Sequence, residues 1–123
     1  MDIQELAEDV LWDEVSDYVE PVEEFQKMVK NIFYVDRDKV NEVKWCEVFD
    51  TEEIIVLDSK EHEDKVEIEF EMPFILSAWN DETQLFRVTS CVHGKAELTQ
   101  DEVIKLEGLE YTDVEVDSVY LVF

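Results

Sequence analysis

Residues 65–79, KVEIEFEMPFILSAW, set Val66, Ile68, Phe70 and Met72 against Glu67, Glu69 and Glu71, then become almost wholly apolar. A period of two specifies a strand with one face turned inward. A second strand-like run, Gln84 to Leu98, follows Asn80-Asp81-Glu82, whose residues suit a tight turn, so the two runs should form one long hairpin. Pro73, inside the first run, should mark a bulge or an edge position, because proline cannot donate to a ladder. Working outward, Lys44 to Phe49, Ile54 to Leu57 and Asp113 to Phe123 read as three further strands. Thr99 followed by Glu102 has the form of a capping box, predicting a short helix through Leu106 that Gly108 ends.

Toward the N-terminus the period changes to that of a helix. Ile3, Leu6, Ala7, Val10 and Leu11, then Val15, Tyr18 and Val19, make a drifting apolar stripe, so one helix, curved or broken near Trp12, is expected. Pro21 suits the first position of a second helix, with Val22, Phe25, Val29, Ile32 and Phe33 as its buried face and Glu23 paired to Lys27. The fold class that follows is α+β: two N-terminal helices packed on one face of a mainly antiparallel sheet of about five strands. A chain of 123 residues suits a single domain, helical over 1–40 and sheet over 41–123.

Composition narrows function. The net charge of −24 and pI near 4.1 oppose direct binding to nucleic acid or to an anionic membrane, so the partner should be a basic protein. Ten acids and no Lys or Arg fall in residues 1–26, eight acids and six bases in 27–60, and sixteen acids and four bases in 61–123. Acidity concentrated at the two ends argues against salt adaptation, which would coat the whole surface. No apolar run reaches the ~20 residues of a membrane span. The opening MDIQELAEDV is acidic where a secretory signal is basic and then apolar, which points to the cytoplasm.

Gly94 and Gly108 are too few and too far apart for a phosphate-cradling loop. Ser77 and Ser90 lack a nucleophile elbow, and no pair of carboxylates stands out for glycoside chemistry. His62, in Glu61-His62-Glu63-Asp64, reads as part of a solvated loop rather than a metal site, since consecutive residues rarely converge on one ion. Cys46 and Cys91 lack metal or redox spacing and read as reduced, buried thiols. No catalytic residue, metal or cofactor is expected.

Three acidic rows remain. Glu67, Glu69 and Glu71 lie ~7 Å apart along one strand face, and Asp113, Glu115 and Asp117 repeat the pattern. Asp2, Glu5, Asp9 and Asp13, followed by Glu20, share one helix stripe with neighbours ~6 Å apart. Like charges so placed repel and should raise one another's pKa values. Two readings compete: the polar side of an ordinary sheet and helix, or an imitation of a nucleic-acid backbone, with charges ~6–7 Å apart along a strand once winding about the ~3.4 Å rise is included. Trp12 and Trp79 border apolar runs, which favours core packing, yet either could anchor an interface. The candidate partner-binding residues are these three rows, without Asp2 and Glu20, and Trp12.

In overall character the chain resembles the small acidic inhibitors that phages and mobile elements direct against restriction, repair or CRISPR enzymes; no motif carries that resemblance. It implies a non-enzymatic inhibitor of a basic nucleic-acid-binding protein. An antitoxin or immunity protein neutralising a basic toxin, or an acidic accessory domain of a larger host complex, are the alternatives.

Overall fold

The computed structural model describes residues 2–120. Three helices, α1 (Ile3–Val19), α2 (Val22–Val29) and α3 (Arg37–Asn41), precede five strands: β1 (Trp45–Thr51), β2 (Ile55–Glu61), β3 (Val66–Asn80), β4 (Thr83–Leu98) and β5 (Val103–Ser118). β3 and β4 form the long hairpin, turning at Asp81-Glu82 with Asp81 in the left-handed region at φ 51°. β5 flanks β4, and β1 and β2 lie end to end along the other side of β3, all antiparallel.

Pro73 lies in the interior strand β3, not at an edge. It sits where the neighbouring strand is interrupted: β1 ends opposite Phe74 and β2 begins opposite Glu71. Its carbonyl accepts the Glu52 N–H at 3.1 Å. Its nitrogen, which has no hydrogen to donate, therefore faces the same gap.

The helices cover one face of this sheet, as the alternation in β3 requires. Ile68, Phe70, Met72, Phe74, Leu76 and Ala78 are buried there, against Leu11, Val15 and Val19 of α1 and Phe25, Met28 and Val29 of α2. Phe25 meets Phe86 at 5.8 Å between ring centroids, and Tyr120 stands edge-on to Phe86 at 6.0 Å. Glu24 is buried with them: Tyr111 donates to its Oε1 at 2.6 Å and Lys27 to its Oε2 at 2.8 Å, tying α2 to β5.

Several local expectations change. α1 runs unbroken past Trp12, Pro21 is the N-cap of α2 rather than its first residue, and Lys27 pairs with Glu24, not Glu23. Phe33 lies beyond α2 and is 93% exposed. Thr99 closes the β4–β5 hairpin: its Oγ1 accepts from Asp101 N and Glu102 N, and no helix follows. The same side-chain acceptor serves a helix cap or a turn, and the apolar residues after it pair with β4. Gly108, at φ 65°, carries a bulge in β5 instead of ending a helix; Leu109 beyond it fills the space a Cβ at Gly94 would occupy. β5 thus begins ten residues earlier than expected and ends at Ser118. Val119 and Tyr120, expected in the strand, lie beyond its end, and the rest of the expected strand, Leu121 to Phe123, lies outside the described residues.

Both edges of the sheet carry side-chain acceptors on backbone donors. Glu20 accepts from Val48 N at 3.0 Å, Asp50 from Thr51 N at 2.9 Å, and Asp58 from Ser59 N at 2.9 Å. On β5 the Tyr34 hydroxyl accepts from Val116 N at 3.1 Å. Edges occupied in this way are poor templates for another strand.

The packing sets a response to alkali. Burial, and then the charge of Glu20, push the Cys46 thiol from its ordinary 9.0 up to about 12. Burial, and then its hydrogen bond to Glu24, raise the Tyr111 phenol above its ordinary 10.0. The folded state favours both neutral forms, so their contribution is complete below pH ~9 and is lost as pH rises, for Cys46 between ~9 and ~12. Urea melts at pH 8, 9, 10 and 11 should show stability falling by up to ~1.4 kcal/mol per pH unit per group. Cys46→Ala should flatten the first part of that slope; an unchanged slope would remove Cys46 as its cause.

Candidate functional site

The acidic rows meet different fates. On α1, Glu5, Asp9 and Asp13 are all exposed, one turn apart. Asp2 caps the helix by accepting from Gln4 N at 3.0 Å, while Glu20 turns to the sheet edge and leaves the stripe. Among the described residues no ion pair involves an acid of α1. The reason is compositional: the chain holds no Lys or Arg before Lys27.

The β3 row is not bare. Glu67, Glu69 and Glu71 point away from the helices, as alternation predicts, but each faces a base on one neighbouring strand, while Glu97 lies on the other side of Glu67 and Asp58 on the other side of Glu69. Lys60 is opposite Glu67, Lys95 opposite Glu69 and His93 opposite Glu71. His62 Nε2 lies 2.7 Å from Glu67, His93 Nε2 lies 3.6 Å from Glu69, and Lys65 pairs with Glu97 at 3.3 Å. Cross-strand neighbours stand ~4.5–5.5 Å apart, closer than the ~7 Å along a strand, so the base opposite each glutamate acts on it more strongly than the next glutamate of the row. The expected rise in pKa reverses at Glu67, where the hydrogen bond from His62 holds the carboxyl below its usual range. His62 is thus a partner of the sheet face, not only a loop residue.

The β5 row is partial. Glu115 and Asp117 share the outer sheet face, opposite Thr89 and Arg87, whereas Asp113 sits at φ 54° in a bulge and breaks the alternation. With Lys105 and Glu107 paired at 3.3 Å on the same strand, the outer face of the sheet mixes both signs. A cavity of about 270 Å³ there is lined by Glu67, Glu69, Lys60, Lys95 and Lys105 among others. The unmixed acidity belongs to α1.

Trp12 is not core. It is 46% exposed, and its indole N–H donates to Thr51 Oγ1 at 2.6 Å, which joins α1 to the end of β1. Trp79 is half-buried and stacks on Trp45 at 5.2 Å with the planes 3° apart. Trp45 and Phe49 remain exposed on β1, and the Arg87 guanidinium lies 4.8 Å over the Phe49 ring. Asp50, Glu52 and Glu53 stand at the interruption between β1 and β2, beside Trp12. Sequence reading missed Trp45 and Phe49, which strand pairing brings to Trp79 and Arg87 on the outer face, and these acids, which only the tertiary approach of α1 to β1 brings to Trp12.

Cys46 pairs with Ala78 on the helix-covered face and Cys91 with Pro73 on the other, so no disulfide can join them; both are free and half-buried. Among the described residues no group of three or more His, Cys, Asp or Glu is placed to hold a metal ion, and no helix is long and apolar enough to cross a membrane. Comparison with protein-family models, curated proteins and solved structures yields no match.

Proposed function

We propose that the chain is a non-enzymatic cytoplasmic inhibitor that occupies the nucleic-acid cleft of a basic protein, presenting α1 carboxylates in place of phosphates, as anti-defence proteins of phages and mobile elements would. The observation that supports this is the exposed stripe Glu5, Asp9, Asp13, with neighbours ~6 Å apart and no basic partner among the described residues. A stripe kept only for solubility would lose nothing by carrying lysines at i+4, which would also stabilise the helix. The contact surface therefore shifts from the sheet rows to α1 and its flank.

The test is competition. Proteins retained from host extract on the immobilised chain are purified, and their affinity for duplex DNA or RNA is measured with and without the free chain. Stoichiometric displacement of nucleic acid is expected. Affinity between the two proteins should fall steeply as salt rises from ~0.01 M to ~1 M and the Debye length shrinks from ~30 to ~3 Å. A retained protein that keeps its nucleic acid while bound to the chain overturns mimicry. An affinity indifferent to salt would favour the antitoxin or immunity reading, which the exposed aromatics Trp12, Trp45 and Phe49 would serve.

A further inference from the structure

The outer face of the sheet has no helix layer, and its two halves differ. Toward the β2–β3 loop, Lys60, His93, Lys95 and Lys105 stand among glutamates, as suits a face left to solvent. Toward the β3–β4 turn the same face is aromatic. Trp45 stacks on Trp79 and donates its indole N–H to the Asp81 carbonyl at 3.0 Å, and Phe49 lies under the Arg87 guanidinium at 4.8 Å. Trp45 is nevertheless 41% exposed and Phe49 60% exposed. A bulge brings Phe49 forward: Val48 is opposite Leu76 and Asp50 opposite Ile75, so Phe49 between them has no partner on β3.

We propose that this aromatic half is a docking surface for a basic protein, whose apolar side chains cover the two exposed rings while its lysines or arginines reach the carboxylates around them. Charge supports that occupant. Glu47 lies opposite Ser77 on one side, and Glu115 and Asp117 lie opposite Thr89 and Arg87 on the other, all three exposed. Among the described residues none of the three is in an ion pair. Facing them is the guanidinium of Arg87, while Lys44 at the turn is already paired with Asp81 at 3.1 Å. Aromatic rings and an arginine inside a polar rim are the composition of an interface centre.

The rings are held before any partner arrives. Stacking and the bond to Asp81 fix Trp45, and Arg87 restrains Phe49, so little side-chain freedom is left to lose on contact. A second copy is a poorer occupant, because face-to-face contact sets the same three carboxylates of each chain against those of the other, in a protein of net charge −24. Because the rim itself calls for a basic partner, this surface does not depend on the α1 stripe.

A capped Lys-Leu-Leu-Lys peptide serves as the probe, with Gln-Leu-Leu-Gln and Lys-Ser-Ser-Lys as counterparts that lack its charge or its apolar side chains. Binding is followed at low ionic strength by the indole N–H resonances of Trp45 and of Trp12, which lies on the helix side. The Lys-Leu-Leu-Lys peptide should shift Trp45, leave Trp12 in place, and bind at least ~5-fold more tightly than either counterpart. Phe49→Ala, at an exposed ring and so without risk to the fold, should weaken it by ~5-fold or more, as loss of an aromatic anchor does. Glu47→Gln, Glu115→Gln, Asp117→Asn should weaken it similarly. Glu61→Gln, Glu63→Gln, Asp64→Asn, which removes as many charges at the β2–β3 loop, should leave affinity within ~2-fold.

Equal losses from the two triple variants, no loss from Phe49→Ala, or a shift of Trp12 in place of Trp45 would reduce the effect to general polyanion attraction and overturn the proposal. Dimers in sedimentation that Phe49→Ala abolishes would assign the face to a second copy and overturn it as well. With the purified partner, full affinity of Phe49→Ala beside weak binding of Glu5→Gln, Asp9→Asn, Asp13→Asn sinks this surface and spares mimicry. Affinity lost with Phe49→Ala, for a partner that keeps its nucleic acid while bound, sinks mimicry and supports this surface.

Discussion

The triple variant Glu5→Gln, Asp9→Asn, Asp13→Asn is expected to bind the partner ~10²–10³-fold more weakly than the parent. Each charge-assisted contact is worth ~1.5–3 kcal/mol, so two engaged carboxylates of the three suffice for a loss of that size. Glu67→Gln, Glu69→Gln, Glu71→Gln should cost no more than ~3-fold, because these carboxylates already have basic neighbours in Lys60, His62, His93 and Lys95. Both variants change the net charge from −24 to −21, so position alone differs between them. Melting temperatures should stay close to the parent's: relief of like-charge repulsion along α1, some tenths of a kcal/mol per pair, is offset by loss of the Glu5 charge from the first turn, where the helix dipole favours an acid. Calorimetric titration of the purified partner against both folded variants decides. Equal weakening would mean that acidity in general is recognised, and that α1 is only a solvated face.

Phe86→Ala should be the most damaging single truncation, lowering stability by ~3–5 kcal/mol and the melting temperature by on the order of 10–20 °C. The ring is fully buried on β4, meets Phe25 of α2 at 5.8 Å, and has Tyr120 edge-on at 6.0 Å. Its loss opens a cavity shared by a helix, the central hairpin and the chain beyond β5, where no single element can collapse to fill it. Phe49→Ala, at a ring 60% exposed, should stay within ~1 kcal/mol. Denaturant unfolding of both tests the contrast; a loss below ~1.5 kcal/mol for Phe86→Ala would mean that the helix layer does not depend on this contact.

The central hairpin and α1 were legible in the sequence because strict alternation over Val66–Met72 and recurrence at Leu6, Leu11, Val15 and Val19 each match only one regular backbone. The first half of β5 was not. Its residues Val103–Leu109 mix Lys and Glu with Gly108, and Thr99 offers the same local acceptor to a turn as to a helix cap. Strand order was equally hidden, and with it the bases that stand opposite the VEIEFEM row, since pairing partners lie far apart in the chain. For the site, the α1 acids could be read from helical spacing alone. The flank of α1 depends on contacts such as Trp12 to Thr51, 39 residues apart, for which no local pattern exists.

The broken outer strand bears on dosage. Beside Pro73 the edge divides into two seven-residue lengths, and Glu20, Asp50 and Asp58 hold donors that a second molecule would need. Copies at high concentration therefore meet a poor template for strand-to-strand stacking along this edge. If the chain acts as proposed, one molecule per target, an edge that resists stacking would keep the working titre proportional to the amount synthesised, because strand pairing along it would withdraw little as expression climbs.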